Sequence, residues 1–139
     1  MTNFLEEIFL LIDKMVQINK NLRQEVLKAM EECSEKMDSH CFAKEHGTVR
    51  FSVGRRGGKT EYIKARATTE DCVVAISRDV VERIYGKDLK TNFLFVEDAS
   101  EIREYKNIYI EVNMLNGVNL NWVYDRLAMT RDQTFIILG

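Results

Sequence analysis

Proline is absent from this chain, and cysteine, histidine and excess charge of either sign are scarce. Without proline, the boundaries of helices and strands must be located from glycine and from polar clusters. The three cysteines are an odd number without C-x-x-C spacing, and no basic segment precedes the apolar start of the chain. We therefore expect free thiols in a reducing cytoplasm, not a disulfide framework behind a signal peptide.

The sequence also lacks the patterns of a zinc site and of a membrane span. His40, Cys41 and His46 could ligate a metal, but a tetrahedral zinc site needs a second pair at a suitable spacing. No apolar run approaches the length of about 20 residues that crosses a bilayer. The net charge of −2 provides no bulk attraction for nucleic acid or anionic lipid. Any such contact would depend on the local basic patch Arg55-Arg56-Lys59.

Residues 3–38 carry apolar side chains spaced mostly by three and four, which predicts helix. Asn19-Lys20-Asn21 leaves two alternatives, one long helix or a helical hairpin. The apolar stripe is typical of a face that docks on a core; a self-associating coil is the alternative, so a homo-oligomer through these helices is a candidate assembly. Residues 39–47 are interpreted as a polar linker, which divides the chain into a helical segment (1–47) and a core (48–139). The stripe comprises Ile8, Ile12, Met15, Leu22, Val26, Met30, Cys33 and Met37.

From residue 48 onward, strand-like and helix-like runs alternate. This alternation predicts an α/β fold with a five-stranded, mainly parallel sheet and flanking helices, preceded by the N-terminal helices. The strand runs are almost wholly apolar, as expected for strands covered on both faces. The predicted strands are Thr48–Val53, Cys72–Ser77, Phe93–Glu97, Ile108–Val112 and Thr134–Leu138. The predicted helices are Lys59–Ala67, Arg78–Tyr85 and Leu120–Met129, with a short helical turn around Ser100–Tyr105.

A basic, glycine-rich loop follows the first predicted strand. Glycines let backbone N–H groups face a polyphosphate, the lysine reaches its β- and γ-phosphates, and the threonine hydroxyl ligates Mg²⁺. The first glycine of the G-x-x-x-x-G-K-[ST] pattern falls on Val53, so the match is incomplete. The loop nevertheless predicts a site for ATP and Mg²⁺ formed by Gly54, Arg55, Arg56, Gly57, Gly58, Lys59 and Thr60.

Polar residues also follow two later strands. Glu97 and Asp98 come after the third strand and Asn113 after the fourth, so the carboxyl ends of the strands place them at one edge of the sheet with the loop. Nucleotide hydrolysis needs one acid for Mg²⁺ and another for the attacking water. Either carboxylate of the pair could be the magnesium acid, which makes Thr60, Glu97 and Asp98 the candidate metal ligands.

From Thr48 to its end the chain resembles a P-loop NTPase of the additional-strand, catalytic-glutamate division, which includes helicases and viral DNA-packaging motors. The Walker A, Walker B and sensor places of that division hold Gly58-Lys59-Thr60, Glu97-Asp98 and Asn113. The basic residues ahead of Lys59 are most similar to those of phage large-terminase ATPases. The resemblance implies a strand order of 5-1-4-3-2, catalytic roles for Glu97, Asp98 and Asn113, and an origin in a phage or mobile element.

These features together predict a small stand-alone ATP-binding protein that hydrolyses ATP slowly with Mg²⁺. The predicted setting is the cytoplasm of the host cell, without a membrane partner and with DNA or a DNA-processing protein as a further partner. One alternative is a non-hydrolysing module in which a nucleotide or an anion stabilises an interaction surface formed with the N-terminal helices. A small nucleotide kinase is a third interpretation, disfavoured because no lid-like arginine cluster lies between the strands.

Overall fold

The computed structural model describes residues 4–33, 37–52, 58–75, 78–86, 92–95, 104–112 and 120–139. It confirms the α/β class, with an N-terminal helix followed by a parallel sheet. The predicted turn around Ser100–Tyr105 falls mostly outside the described residues. The helices are α1 (Phe4–Glu32), α2 (Ser39–His46), α3 (Lys59–Arg66), α4 (Arg78–Tyr85) and α5 (Leu120–Leu127). The strands are β1 (Thr48–Phe51), β2 (Cys72–Ala75), β3 (Asn92–Phe95), β4 (Asn107–Glu111) and β5 (Thr134–Leu138).

Helix α1 is continuous, so the helical-hairpin alternative is wrong. Its 29 residues extend about 44 Å at 1.5 Å per residue. Asn19 does not break the helix because its side-chain amide points outward and donates to the backbone oxygen of His46 at 3.0 Å. Arg23, one turn further on, is buried and donates to the carbonyl of Gln133 at 2.6 Å and to Thr134 Oγ1 at 3.1 Å. These bonds hold α1 at the amino end of β5.

The predicted linker over residues 39–47 is also wrong, because Ser39–His46 forms helix α2. The Asp38 carboxylate caps this helix by accepting the N–H of Cys41 at 2.8 Å. Such an N-cap satisfies one of the donors left unpaired in the first turn. Phe42 and Ala43 supply the buried side of the helix. A capping acid and two apolar residues are therefore enough to make a short helix here.

All strand pairs in the sheet are parallel, and the strands lie in the order β1-β5-β4-β2-β3. Side chains alternate between the two faces, so Ile108 and Ile110 of β4 lie in one core and Tyr109 in the other. Helices α1, α3 and α4 cover the Tyr109 face, while α2 and α5 cover the opposite face. Both faces are therefore protected, which explains the wholly buried strands β2 and β5.

This strand order differs from the 5-1-4-3-2 order that the resemblance implies. Strand β1 lies at an edge beside β5, instead of between β5 and β4, and β2 separates β4 from β3. The loop after β1 and the acids after β3 therefore follow strands at opposite edges of the sheet. The expected order is wrong for this chain.

The direction in which the chain moves across the sheet reverses between the neighbouring parallel strands β2 and β4. From β1 the chain proceeds through α3 to β2 and through α4 to β3, with both helices on the Tyr109 face. From β4 it returns through α5 on the other face to β5. Crossovers of one hand that run in opposite directions must pass over opposite faces. The carboxyl ends of β2 and β4 thus form a topological switch point, the usual place of a ligand crevice.

Candidate functional site

The predicted phosphate loop ends in a glycine with a left-handed backbone. Gly58 is the N-cap residue of α3 and has φ 75°, a conformation that glycine adopts without a steric penalty. Its carbonyl accepts the N–H of Tyr62 at 2.8 Å, the first hydrogen bond of the helix. A Cβ placed on Gly58 would overlap Leu5 Cδ2 and would lie 3.9 Å from the Phe9 ring. The turn therefore requires glycine both for its backbone and for the close approach of α1.

Thr60, in the first turn of α3, contacts an acid that the sequence analysis did not select. Its hydroxyl donates to Glu111 Oε1 at 2.8 Å, and the other carboxylate oxygen, Oε2, accepts the hydroxyl of Tyr85 at 3.1 Å. Glu111 is the last residue of β4 and is only 7% exposed. Burial, and then the neighbouring Glu111 carboxylate, raise the pKa of the Tyr85 phenol, which therefore stays protonated and remains a donor.

Lys59 precedes Thr60 in the first turn of α3 and is only 5% exposed. Within the described residues, Lys59 takes part in no ion pair. No buried side-chain nitrogen or oxygen of those residues lacks a hydrogen-bond partner, so the ammonium group of Lys59 is not an unpaired buried charge. An anion at the start of α3 would be a further partner for this group, together with the N–H groups of the first helical turn.

Glu111 brings this turn to the switch point of the sheet. It follows Ile110, which is in register with Val74 of β2, and it lies opposite Leu138 of β5. Thr60 is therefore held at the carboxyl end of the central strand β4, although the loop before it starts from the edge strand β1. The first turn of α3, which contains the buried Lys59 and follows a left-handed glycine, thus contacts a buried carboxylate at the edge where open parallel sheets bind ligands.

Most of the predicted site residues lie outside the described residues: Gly54, Arg55, Arg56, Gly57, Glu97, Asp98 and Asn113. Only Gly58, Lys59 and Thr60 of the predicted set fall within them, and they adjoin one another at the start of α3. The strand that precedes Glu97 is β3, which β2 separates from β4. Two strand spacings of about 4.8 Å place the axis of β3 roughly 10 Å from that of β4. Glu111, not a residue of β3, is the acid that contacts Thr60.

Helix α1 covers the other side of α3 through a polar network. Asp13 accepts the hydroxyl of Tyr62 at 2.8 Å and forms a two-pronged ion pair with Arg66, whose Nη2 lies 2.9 Å from Oδ2. The Arg66 guanidinium also lies 5.5 Å from the centroid of the Phe9 ring. The hydrogen bonds from Arg66 hold the pKa of the Asp13 carboxyl below its ordinary value. This network fixes the amino-terminal half of α1 against α3.

The Thr60–Glu111 contact also fits a nucleotide-bound Mg²⁺. Within the described residues, no group of three or more His, Cys, Asp or Glu side chains could hold a metal ion. Mg²⁺ at a nucleotide needs fewer protein ligands, because phosphate and water oxygens complete its octahedron. The oxygens of Thr60 and Glu111 are 2.8 Å apart, the ordinary length of an O–H···O hydrogen bond. Hydroxyl and carboxylate oxygens are ligands that Mg²⁺ accepts, so these two residues would be its protein ligands if a nucleotide brought the ion.

Two further findings bear on function, one about membrane-spanning helices and one about similarity to known proteins. Within the described residues, no helix combines the length and the apolar character needed to cross a bilayer. No protein-family model, curated protein or solved structure matches the chain. A function must therefore be argued from the geometry of the residues themselves.

Proposed function

We propose that the chain is a small ATP-binding protein that takes the triphosphate at the turn Gly58-Lys59-Thr60, with Mg²⁺, and hydrolyses it slowly. The observation that supports this most directly is the hydrogen bond from Thr60 to the buried Glu111, beside the buried Lys59. The proposed chemistry of the turn is that of P-loop NTPases, whereas the strand order of this chain is not the one typical of that division.

In this proposal, each residue of the turn has one task. The N–H groups at the start of α3 and the ammonium group of Lys59 bind phosphate oxygens. Thr60 and Glu111 would hold Mg²⁺, which supplies neutralisation of the phosphate charge when bound. Tyr85 keeps the Glu111 carboxylate in place by donating to its second oxygen. Arg55 and Arg56 precede the turn in the sequence and add positive charge to this segment.

Hydrolysis requires a group that orients or activates water. We assign that task to Glu97 and Asp98, which follow β3 in the sequence, and the sensing of the γ-phosphate to Asn113. Asn113 comes two residues after Glu111, the acid that contacts Thr60. Glu111 takes over the magnesium role that the sequence pattern assigned to the acid pair.

Calorimetry of ATP binding with and without Mg²⁺ tests the site. Lys59→Met keeps the aliphatic volume of the buried side chain and should weaken ATP binding at least about tenfold, because one charge-assisted contact is lost. Lys64→Met, on the exposed side of the same helix, is the matched control and should bind normally. Equal ATP affinity in the wild type and Lys59→Met, or no binding by a folded wild type, would exclude the site.

Three further variants test the magnesium ligands. Thr60→Ser retains the hydroxyl, and Thr60→Val removes it with little change in volume. Only Thr60→Val and Glu111→Gln should abolish the tightening of ATP binding by Mg²⁺. If Glu111→Gln responds to Mg²⁺ as the wild type does, Glu111 has no part in the metal site.

A non-hydrolysing module is the second candidate function, and the contact between Leu5 and Gly58 favours it. Because α1 packs directly on the turn, a nucleotide or anion bound there would stabilise the position of α1. Phosphate release at steady state, measured with and without DNA, separates the two candidates. ATP binding without phosphate release would identify the module, whereas magnesium-dependent release that declines in Asp98→Asn or Glu97→Gln would identify the ATPase.

A further inference from the structure

Helix α1 has three differently occupied sides. One side, with Ile12 fully buried, lies on the sheet beside β1 and β5. A second side, with Phe9 and Asp13, contacts α3. Residues of a helix advance by 100° each, so a third side points away from α3 and past the edge strand β1. That third side carries three of the four exposed large apolar residues of the helix, and only Leu10 lies elsewhere.

Three exposed apolar residues on this side, together with the half-buried Met15, which also packs against the core, form one stripe, defined by Leu11, Met15, Ile18 and Leu22. Leu11, Ile18 and Leu22 are 50%, 48% and 59% exposed, which is unusual for aliphatic side chains in a row. The four residues of the stripe are spaced by four, three and four, which is the spacing of alternating a and d positions in a coiled coil. The exposed side of α1 therefore has the pattern of a helix-pairing seam.

The edge of the sheet below the stripe is also unpaired. Strand β1 is hydrogen-bonded to β5 on one side, and no strand among the described residues covers its other side. An uncovered edge strand is a template for pairing with another chain. A single twofold axis normal to the sheet would bring α1 against a second α1, and β1 against a second β1, both in antiparallel orientation.

We propose that the stripe is a dimer interface occupied by a second copy of this chain, with the two α1 helices antiparallel. The stripe is complementary to itself about the midpoint between Met15 and Ile18: Leu11 of one copy lies opposite Leu22 of the other. The exposed flank of the same helix is complementary in charge. In this register Glu7 lies opposite Lys28 of the other copy, and Lys14 lies opposite the neutral Asn21.

A parallel pair of helices is excluded by the same positions. It would require the exposed flank of one helix to face the flank that contains Ile12 and Asn19 on the other. That flank is already used, because Ile12 is buried in the core and Asn19 donates to the backbone of His46. Only the antiparallel pair uses surface that is free in the single chain. This interface does not depend on the proposed nucleotide function.

Sedimentation equilibrium of the full chain, without nucleotide, tests the interface. The wild type should be a dimer. Ile18→Glu should raise the dissociation constant at least about 100-fold, because the loss of a buried aliphatic group counts once in each copy. Leu10→Glu is the matched control: Leu10 is 66% exposed on the same helix but lies off the stripe. A monomeric wild type, or equal weakening by the two substitutions, would overturn the proposal.

Charge reversal tests the register. Glu7→Lys and Lys28→Glu should each weaken the dimer, and the double variant should restore it, because each change alone places like charges opposite each other. A double variant weaker than both single variants would overturn the antiparallel register. If the wild type is monomeric and co-sediments with vesicles of phosphatidylcholine and phosphatidylglycerol, the stripe belongs to a lipid surface and the proposal fails.

Discussion

The close contact of α1 with the glycine turn makes a quantitative prediction for Gly58→Ala. The backbone of Gly58 has φ 75°, so any other residue pays about 1–2 kcal/mol for the left-handed conformation. The new methyl group would also overlap Leu5 Cδ2, the end of a flexible side chain that must rotate out of the way, which adds about 0.5–1.5 kcal/mol. We therefore expect Gly58→Ala to lower the free energy of unfolding by about 1.5–3.5 kcal/mol.

The chain contains its own control for the backbone contribution. Gly86 has φ 74°, and no described atom lies within 4 Å of a Cβ placed there. Gly86→Ala should therefore cost only the backbone penalty of about 1–2 kcal/mol. Equilibrium unfolding in urea gives both values, and their difference measures the contact with Leu5. Leu5→Ala should remove that difference in the double variant, a coupling of about 0.5–1.5 kcal/mol. Equal costs at the two glycines, or additive effects of Leu5→Ala and Gly58→Ala, would refute the packing of α1 on the turn.

Two further predictions concern the attachment of α1. Arg23→Met removes the buried hydrogen bonds to Gln133 and Thr134 and should lower the free energy of unfolding by about 2–4 kcal/mol, as measured by urea unfolding. Gln24→Met, exposed on the same helix, should change it by less than about 0.5 kcal/mol. Asp13 has a lowered pKa because of Arg66, so its stabilisation is complete above the ordinary carboxyl pKa of about 3.9 and is lost as the pH falls through the lowered value. Asp13→Asn should therefore reduce stability at pH 6 and flatten its decline below about pH 4, and a wild type and variant with parallel pH profiles would contradict this.

The class of the fold could be predicted from the sequence because its signals are local. Strands such as Thr134–Leu138 are apolar along their whole length, and the helices between them have the expected spacing. The order of the strands could not be predicted in this way. It depends on which sheet edge each crossover reaches, a choice made by packing between residues far apart in the chain. The resemblance to a known family supplied an order, and that order does not hold here.

The acid of the candidate site escaped prediction for a related reason. The pair Glu97-Asp98 was conspicuous because two acids end an apolar strand. Glu111 is a single acid inside the apolar run Ile108–Val112. Its partners, Thr60 and Tyr85, are 51 and 26 residues away along the chain. A lone carboxylate within a strand predicted to be covered on both faces was the available signal, since such a group must be paired when buried.

The glycine turn and the exposed stripe are joined by one continuous helix. Leu5 at the start of α1 packs on Gly58, and Ile18 and Leu22 of the same helix form part of the stripe about four to five turns later. A ligand that moves the turn must either displace Leu5 or fix it, and an unbroken helix transmits that change along its length. If both proposals hold, the two sites are energetically coupled, and the coupling is reciprocal: the factor by which ATP changes the dimer dissociation constant equals the factor by which dimerisation changes ATP affinity. A protein with such a coupling has a use for ATP even when hydrolysis is slow, because binding alone would alter its association.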